Sequence, residues 1–580
     1  MEDVTAMLRR ARVVGLASAL LAAAVVPGFG ASAARSDTIP TATVVVGAAA
    51  SQPPELDFGE ALVGYPTPGV LEVHVEGTSP VTFGDAVVEA DPRADDHAAD
   101  FSVGRNLCLG TTVEPGGTCT VELVTTASVD DAESAYLVLA DDSADGPSKT
   151  HLTIGGVADG TGTYYATPPT RLLDTRTTGT RKPVPAGGTV VVPVLGRAGM
   201  PSSGVSAVVI NLTAVATTAS GYLTAYPGGG SRPATSTLNF PPSWTGATMA
   251  TVPVGSNGAI AVYNSGGTTH VVVDVLGWYA ADDAFHAGTG VMGAQYQPAE
   301  RQSRVWDAAA DKGRMTANQS VTLDLSFATP DDPDLDNEVT ALALTVTAVE
   351  PTRSGYLAVW DGTGDLPGTS TLNFTAGDVV PNMVLVPVSH PASGGLRISL
   401  ANRSSGTTEV LVDLVGAYTT DAVVGERFVA GTPVRIVDTR KGLGFAGPVL
   451  AGTTHSMTAP DALTGPDSWI LVGTMTAINA TKNGYLTVWD GSSTRPGVST
   501  LNPRAGRTTA APVFVPLDPS YAFSVFSSGG TLDLALDVAG TFEQYPPAAA
   551  YTPPSGGFIA GPRRPEPPRI AVPTVRAVRR

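Results

Sequence analysis

The sequence contains few charged residues, and basic residues are especially scarce. Asp, Glu, Lys and Arg together make up 15% of the 580 residues, whereas apolar residues make up 43%. A chain with that much apolar surface can build packed cores, so a generally disordered protein is excluded. The chain has 34 Lys and Arg residues and 53 Asp and Glu residues, which gives a net charge of −19. Because such a chain repels a phosphate backbone, we expect no nucleic-acid partner.

Residue types that form catalytic and metal sites are scarce as well. The chain holds 7 histidines, without an H-E-x-x-H, G-x-S-x-G or S-x-x-K motif. We therefore expect no catalytic residue, no cofactor and no metal ion, and a protein that is not an enzyme. Two carboxylates at a fixed separation are enough for a glycosidase, and distant positions can supply them. A glycosidase-type enzyme thus remains a less favoured alternative.

Long apolar runs are missing except at the N-terminus. Residues 1–33 join a basic start to a largely apolar run over Val13–Val26 and end in the small residues Ala31-Ser32-Ala33. This order is typical of a secretory signal peptide, and the run is too short to span a bilayer comfortably. We predict a protein that is secreted and associated with the cell envelope, without a membrane span.

The sequence has only two cysteines, Cys108 and Cys119, which flank the turn signal Glu114-Pro115-Gly116-Gly117. In an exported protein such a pair predicts a local disulfide, which stabilises a fold by about 2–4 kcal/mol. Two cysteines alone cannot supply the four ligands of a structural zinc site.

Residues 40–160 alternate short strand patterns with Pro, Gly and Asp turns, which predicts a β-sandwich. The segments Leu56-Asp57-Phe58-Gly59 and Ala99-Asp100-Phe101-Ser102-Val103, together with both cysteines, resemble immunoglobulin-like modules of the ASPM/SPD-2/Hydin type. The exported bacterial version is called choice-of-anchor D. The chain departs from that family at Glu76-Gly77-Thr78, where an Asn-x-Gly turn is usual. The resemblance implies a spacer or docking domain.

One long segment occurs three times, over residues 161–282, 283–421 and 422–545. In each copy a Gly-Tyr-Leu motif precedes the Asn of a Ser-Thr-Leu-Asn motif by 17 residues. The tyrosine and asparagine pairs are Tyr222 with Asn239, Tyr356 with Asn373, and Tyr485 with Asn502. Flat aromatic faces and amide side chains suit sugar binding, so these residues are candidate ligand-binding positions. A structural role at a buried corner and a strand end is the favoured alternative.

A second recurring pattern combines Arg and Asp with a closing Asp-x-x-Gly motif. The residues of this repeat motif are Arg171, Asp174, Arg176, Asp274, Asp307, Asp413, Arg435, Asp438, Arg440 and Asp537. The middle copy has lost part of the motif and reads Arg304-Val305-Trp306-Asp307. We interpret the acids as structural, because Asp accepts backbone N–H bonds in turns and pairs with Arg. Ligand or Ca²⁺ binding and catalysis are less favoured interpretations.

Between these motifs each repeat has an alternating strand, such as Val208–Ala214, whose period of two predicts burial of one face. In order, the motifs resemble the "LLDTR … GYLT … STLNF … VDVxGY" repeats of exported actinobacterial proteins. The resemblance spans nearly the whole of residues 161–545 and implies an envelope context. It implies no particular activity.

Residues 546–580 contain nine prolines and six arginines, which predicts a disordered basic tail. The tail either tethers the protein to anionic polymers or is a solvated end. We therefore expect an all-β chain: an immunoglobulin-like sandwich, three tandem sandwich-like or barrel modules, and this tail. The expected function is modular binding, adhesion or scaffolding, with a cell-wall polymer or surface protein as partner. The alternative is a cell-wall polysaccharide or peptidoglycan-binding protein accessory to a wall hydrolase.

Overall fold

The computed structural model describes residues 40–46, 53–62, 66–94, 97–128, 132–144, 146–157, 160–178, 181–330, 333–420, 425–545 and 569–579. The predicted signal peptide and residues 546–568 lie outside these ranges. The described chain is all-β, as predicted, with three short α-helices and two 3₁₀ turns. The helices are α1 (Ala284–Thr289), α2 (Ala308–Asp311) and α3 (Leu335–Glu338), and the 3₁₀ turns are Ala98–Asp100 and Thr439–Lys441. In the described ranges no helix has the length and apolar character needed to cross a membrane.

The first module is built from two sheets that enclose one core. Its strands are β1 (Thr41–Val46), β2 (Glu55–Leu62), β3 (Pro66–Val75), β4 (Val81–Ala90), β5 (Phe101–Asn106), β6 (Thr112–Val113), β7 (Thr118–Thr126), β8 (Ala132–Asp141) and β9 (Ser148–Val157). The sheet orders are β1-β3-β7-β5 and β2-β9-β8-β4-β6. Alternate residues of β7, such as Val121 and Leu123, point into the core. The predicted disulfide is confirmed: Cys108 and Cys119 are bonded beside that core.

Repeat 1 folds into two sheets, with orders β10-β17-β12-β15 and β11-β16-β13-β14. Its strands are β10 (Tyr164–Asp174), β11 (Thr189–Pro193), β12 (Val205–Val215), β13 (Gly221–Pro227), β14 (Leu238–Phe240), β15 (Gly246–Pro253), β16 (Ala259–Asn264) and β17 (His270–Ala280). The two sheets pack against a shared core, which is consistent with the predicted sandwich-like module.

The larger sheets of repeats 2 and 3 have the same strand order as that of repeat 1. The strands of repeat 2 are β18 (Gln295–Asp307), β19 (Ser320–Ser326), β20 (Val339–Val349), β21 (Gly355–Trp360), β22 (Leu372–Phe374), β23 (Val379–Pro387), β24 (Leu396–Ser404) and β25 (Glu409–Thr419). Those of repeat 3 are β26 (Gly425–Asp438), β27 (Val449–Leu450), β28 (Thr454–Thr458), β29 (Ser468–Ile478), β30 (Leu486–Trp489), β31 (Thr509–Pro516), β32 (Ala522–Ser527) and β33 (Thr531–Tyr545). Their larger sheets, β18-β25-β20-β23 and β26-β33-β29-β31, are joined edge to edge through β18 and β26.

The central strand of each larger sheet is buried on both faces, so the prediction of a half-buried strand is wrong. In β12, Val208 and Ile210 belong to the core of repeat 1, whereas Ala207 and Val209 belong to a core shared by all three repeats. Thr213, on the shared side, is only 4% exposed. The period of two is real, but it separates two buried environments rather than core from solvent.

The three repeats close into a ring through equivalent backbone contacts. Each contact starts at an aromatic residue near the beginning of one repeat. The backbone of this residue pairs with the residue that lies two positions before the equivalent aromatic residue of another repeat. The contacts join Tyr164 with Ala294, Tyr296 with Glu426, and Phe428 with Gly162. Because the third contact returns to the first repeat, the arrangement is cyclic, as in a symmetric trimer, but within one chain.

Six aromatic side chains fill the centre of this ring, two from each repeat. They are Tyr164, Tyr279, Tyr296, Tyr418, Phe428 and Phe542. All six are at most 2% exposed. Rings from different repeats touch: the Tyr164 and Tyr418 ring centres lie 4.5 Å apart, and those of Tyr296 and Phe542 lie 4.7 Å apart. The repeats are therefore held together by an apolar core of their own, beyond the backbone contacts.

The end of the chain is a strand, so the prediction of a disordered tail is wrong for Thr574–Arg579. This strand, β34, pairs antiparallel with β19 at the edge of the smaller sheet of repeat 2. Arg579 donates hydrogen bonds to the backbone oxygens of Ala308 at 2.8 Å and Gly313 at 2.6 Å. Composition alone misses this strand because its partner lies about 250 residues away in the sequence.

Candidate functional site

The glycine of each Asp-x-x-Gly motif lets a central aromatic residue pack against the backbone of the paired strand. A Cβ on Gly416 would overlap the ring of Tyr296, and a Cβ on Gly277 would overlap that of Tyr164. Both tyrosines also donate a 3.0 Å hydrogen bond to the carbonyl one residue before the glycine. In repeat 3 Phe428 occupies this position against Gly540. The motif is thus required by packing at the ring centre.

The aspartate of the same motif pairs with the first arginine of its repeat. The pairs are Arg171 with Asp274 at 2.8 Å, Arg304 with Asp413 at 2.9 Å, and Arg435 with Asp537 at 2.7 Å. In each pair two guanidinium nitrogens reach the two carboxylate oxygens. This bidentate geometry holds the first and last strands of the repeat together.

The second arginine and aspartate form another pair in repeats 1 and 3. Arg176 bonds Asp174 at 2.7 Å, and Arg440 bonds Asp438 at 2.8 Å. Repeat 2 lacks that arginine. There Asp307 accepts hydrogen bonds from the backbone N–H groups of residues 309 and 310 and caps α2.

The pKa shifts of Asp274 and Asp413 are opposite in direction to those of Asp174 and Asp438. Burial raises the pKa of Asp274 and of Asp413, and the adjacent arginine only partly opposes it. Hydrogen bonds from Arg176 and Arg440 lower the pKa of Asp174 and Asp438 respectively. These carboxylates are at most 5% exposed, so they are poorly placed to exchange protons with a polymeric substrate.

In repeats 1 and 2 the tyrosine and asparagine of the candidate binding pair lie on neighbouring strands. Tyr222 is opposite Asn239 in the ladder of β13 and β14, and Tyr356 is opposite Asn373 in that of β21 and β22. In repeat 3 Tyr485 directly precedes β30, and Asn502 follows Leu501, which forms an isolated bridge with Leu486. The tyrosines are partly exposed, and Tyr485 is 40% exposed. The structure thus brings together the residues of each pair and leaves the aromatic member accessible.

The asparagines have structural contacts. Each one bonds the serine three residues before it, at 3.0–3.2 Å. The bonded pairs are Asn239 with Ser236, Asn373 with Ser370, and Asn502 with Ser499. These bonds close the Ser-Thr-Leu-Asn segment into a compact turn.

These turns also lie at the contacts between repeats. The backbone oxygen of Ser370 in repeat 2 accepts a hydrogen bond from Asn211 of repeat 1. The backbone N–H of Ser236 in repeat 1 donates to Asp537 of repeat 3 at 3.2 Å. Arg504, just beyond the turn of repeat 3, pairs with Asp378 of repeat 2. The recurring polar residues therefore organise the ring, a role that the sequence of one repeat does not reveal.

One group of possible metal ligands was missed in the sequence because its members are far apart. His97, Asp100 and Glu133 of the first module place one ligand atom each within 4.8 Å of one another. The group is tied into the loop at Ser128, whose backbone N–H donates to Glu133 at 2.6 Å and whose hydroxyl donates to Asp100 at 2.9 Å. These bonds give the cluster a structural role in joining the loop to β8.

The chain matches no family model, and no curated protein sequence matches it. Among solved structures, it shows weak similarity to the secreted serine protease VesC from Vibrio cholerae, with 10% identity and a TM-score of 0.15. That match covers 38% of this chain and 48%, about half, of the protease. The triple jelly roll protein of an archaeal virus turret matches with 10% identity and a TM-score of 0.14, over 66% of this chain and 90% of that one. A protein of Sulfolobus turreted icosahedral virus matches with 10% identity and a TM-score of 0.13, over 66% of this chain and 91% of that one. Similarities this weak carry no argument about fold or function.

Proposed function

We propose that this protein is an exported, non-catalytic binding or scaffold protein of the cell envelope. One observation carries the proposal: the recurring Arg, Asp and Asn side chains are engaged in contacts within and between repeats. Arg435 and Asp537, for example, form an ion pair that also receives the backbone N–H of Ser236 from another repeat. In a duplicated enzyme we would expect recurring polar residues to face a substrate.

The tyrosines are the surface through which this protein binds. Tyr222, Tyr356 and Tyr485 occupy equivalent positions on three repeats that share one core. Weak contacts on one body reinforce each other, because the second and third contacts are intramolecular once the first has formed. The partner is a cell-wall polymer or a surface protein. The first module of the chain serves as a spacer or docking domain for the repeats.

Co-sedimentation of the mature protein with purified cell wall, across a salt series, tests this proposal. We expect binding that persists at high salt and falls in each single Tyr→Ala variant, with a larger loss in the triple variant. The matched control is Val191→Ala, which shortens another exposed side chain of repeat 1. Unchanged binding in the triple variant, or equal loss in all single and triple variants, would rule out binding through the three tyrosines.

A polysaccharide partner, in a protein accessory to a wall hydrolase, is the more specific form of this proposal. What supports it is the pairing of a partly exposed Tyr222 or Tyr356 with an asparagine on the adjacent strand. A glycosidase is the less favoured alternative, because the recurring aspartates are buried and paired. Turnover of wall polysaccharide that Asp274→Asn abolishes would favour the enzyme.

A further inference from the structure

A stacked arginine lies near the proposed binding tyrosine of repeat 1 and of repeat 3. The guanidinium carbon of Arg232 lies 4.1 Å from the centre of the Tyr263 ring, and that of Arg495 lies 3.6 Å from the centre of the Phe526 ring. Each arginine follows the binding tyrosine of its repeat by ten residues, in the loop after β13 or β30. The two stacks are therefore the same feature in two copies.

The stack and the binding tyrosine lie on one face of the smaller sheet. Tyr263 is the ladder partner of the residue two positions after Tyr222, and residues two apart in a strand point to the same face. Phe526 has the equivalent partner in repeat 3, and its ring centre lies 6.0 Å from that of Tyr485. Both repeats thus place a cation beside the aromatic surface proposed for binding.

Repeat 2 lacks both members of the stack, yet it also places an arginine beside its tyrosine. Leu366 and Ala401 occupy the positions of the arginine and of the aromatic residue. Arg403 of β24 lies directly opposite Tyr356 in the ladder, so the two side chains share a face. At this position repeats 1 and 3 have serines, whose hydroxyls accept the tyrosine N–H at 2.7 Å. A cation beside the tyrosine is thus present in all three repeats, by two different routes.

These three arginines keep their hydrogen-bond donors available. In the part of the chain that the structure describes, Arg232, Arg403 and Arg495 form no ion pair and no side-chain hydrogen bond. Arg171 and Arg435, by contrast, are bound to aspartates. Stacking occupies the flat face of a guanidinium group, whereas its N–H groups lie in the plane and point outward. A ligand oxygen can therefore accept hydrogen bonds from all three.

An anion is the ligand that this arrangement favours. A guanidinium group is always charged, and it binds a carboxylate or phosphate through two parallel hydrogen bonds. The neighbouring tyrosine adds an apolar ring face, against which C–H groups can pack. Because the whole chain has a net charge of −19, an anionic partner gains from these local cations and not from a general attraction.

We propose that Arg232, Arg403 and Arg495 bind the acid groups of an anionic wall polymer, while the neighbouring tyrosines pack on its C–H groups. The inference rests on the proposed binding role and names a ligand class for it. A polymer carries many carboxylate or phosphate groups, so one molecule offers a ligand to more than one repeat.

Binding of the full mature chain to polymers of different charge tests the inference. The probes are polygalacturonate, its methyl ester, which keeps the sugars but removes the charge, and poly(ribitol phosphate). We expect at least one charged polymer to bind about tenfold more tightly than the methyl ester. Binding of polygalacturonate alone would identify carboxylates as the recognised groups, and binding of poly(ribitol phosphate) alone would identify phosphates.

Variants of the three arginines locate the effect. Each single Arg→Gln change should lower the affinity for the charged polymer about 2- to 5-fold, and the triple change about 10- to 100-fold. The matched control is Arg301→Gln, which removes the same charge from an exposed position of β18 in the larger sheet of repeat 2. Added salt should reduce the difference between the unmodified chain and the triple variant, because salt screens exposed charges.

The inference is overturned if the methyl ester binds as tightly as the acid, if no charged polymer binds, or if the triple variant binds like Arg301→Gln. Wall co-sedimentation separates it from the proposed function. Wall binding that the triple Tyr→Ala variant loses and the triple Arg→Gln variant fully retains would keep the proposed function and exclude the anionic ligand. Loss in both variants supports both. If the unmodified chain does not bind wall, the proposed function fails, and the polymer series alone decides the inference.

Discussion

The hydroxyl groups of Tyr279 and Tyr418 share a 2.6 Å hydrogen bond at the centre of the ring of repeats. The two residues are equivalent positions of repeats 1 and 2, and repeat 3 has Phe542 there. Burial raises the pKa of both tyrosines well above its usual range, so both stay protonated. The bond therefore joins two neutral groups across a contact between repeats.

Replacing one of these tyrosines should cost more than replacing both. Tyr279→Phe leaves the Tyr418 hydroxyl buried without its partner, which we expect to lower the free energy of unfolding by about 1–3 kcal/mol. The added change Tyr418→Phe should cost little, since Phe542 already fills the equivalent position. Denaturant unfolding of the single and double variants measures the coupling. Additive losses would contradict it.

Gly416→Ala should destabilise the ring strongly. The new Cβ would overlap the Tyr296 ring and the carbonyl oxygen of Gln297, and β-pairing on both sides limits backbone movement. Overpacking of this kind costs about 1–3 kcal/mol. Thermal unfolding measures the effect, with Gly497→Ala as the control because a Cβ there meets no atom within 4 Å. Equal shifts in the two variants would exclude the packing argument.

Asp438→Asn should reduce the loss of stability in acid. Arg440 lowers the pKa of Asp438, so its stabilising contribution is present above the unfolded pKa, about 3.9, and is lost as the pH falls through the folded value. The variant lacks this contribution, so its unfolding midpoint should depend less on pH below about 4. Unfolding curves across the acid range test this, and an unchanged slope would contradict the assignment.

Asp274→Asn should change how stability depends on pH above about 3.9 rather than below it. Burial raises the pKa of Asp274, so the folded state binds the proton more tightly than the unfolded chain. This contribution is present below about pH 3.9 and is lost as the pH rises through the folded pKa. The variant should therefore lack the decline in stability above that pH. A slope identical to that of Asp438→Asn would show that the two aspartates are electrostatically alike.

Arg579→Ala should loosen the C-terminal strand. The variant loses the bonds to three carbonyl oxygens and an ion pair with Asp311 at 3.4 Å. Amide hydrogen exchange in β34 should accelerate by about tenfold, because its opening free energy falls by roughly one charged hydrogen bond. Arg576→Ala is the matched control, since Arg576 lies exposed on the same strand. Equal acceleration in both variants would show that Arg579 does not fasten the strand.

Local patterns in the sequence predicted the parts of the fold that depend on neighbours along the chain. The all-β fold and the bond between Cys108 and Cys119 followed from turn signals, alternation and the predicted export signal. The positions of the recurring Arg and Asp also indicated pairing. Such features are encoded within one repeat and are therefore visible without knowing how repeats meet.

Contacts between repeats were not predictable in this way. Thr213 looks like a solvent-facing residue in its strand, and only the neighbouring repeats make its face interior. The strand at Thr574–Arg579 follows a proline- and arginine-rich segment and takes its order from β19. The asparagine turns were open to interpretation as binding residues for the same reason. In each case the stabilising partner is distant in sequence.

Closure of the ring fixes the number of repeats. In an open array, each repeat contacts only its neighbours, and a copy can be gained or lost at an end. Here the contact of Phe428 with Gly162 joins repeat 3 back to repeat 1, so both end repeats are bound on two sides. If recombination added or removed one copy, this contact between the end repeats could not form in the same way. The aromatic cluster at the centre of the ring would also be incomplete. The three copies can therefore diverge in sequence, as repeat 2 has done after Asp307 by losing the Thr-Arg of the motif, while the number of copies stays fixed.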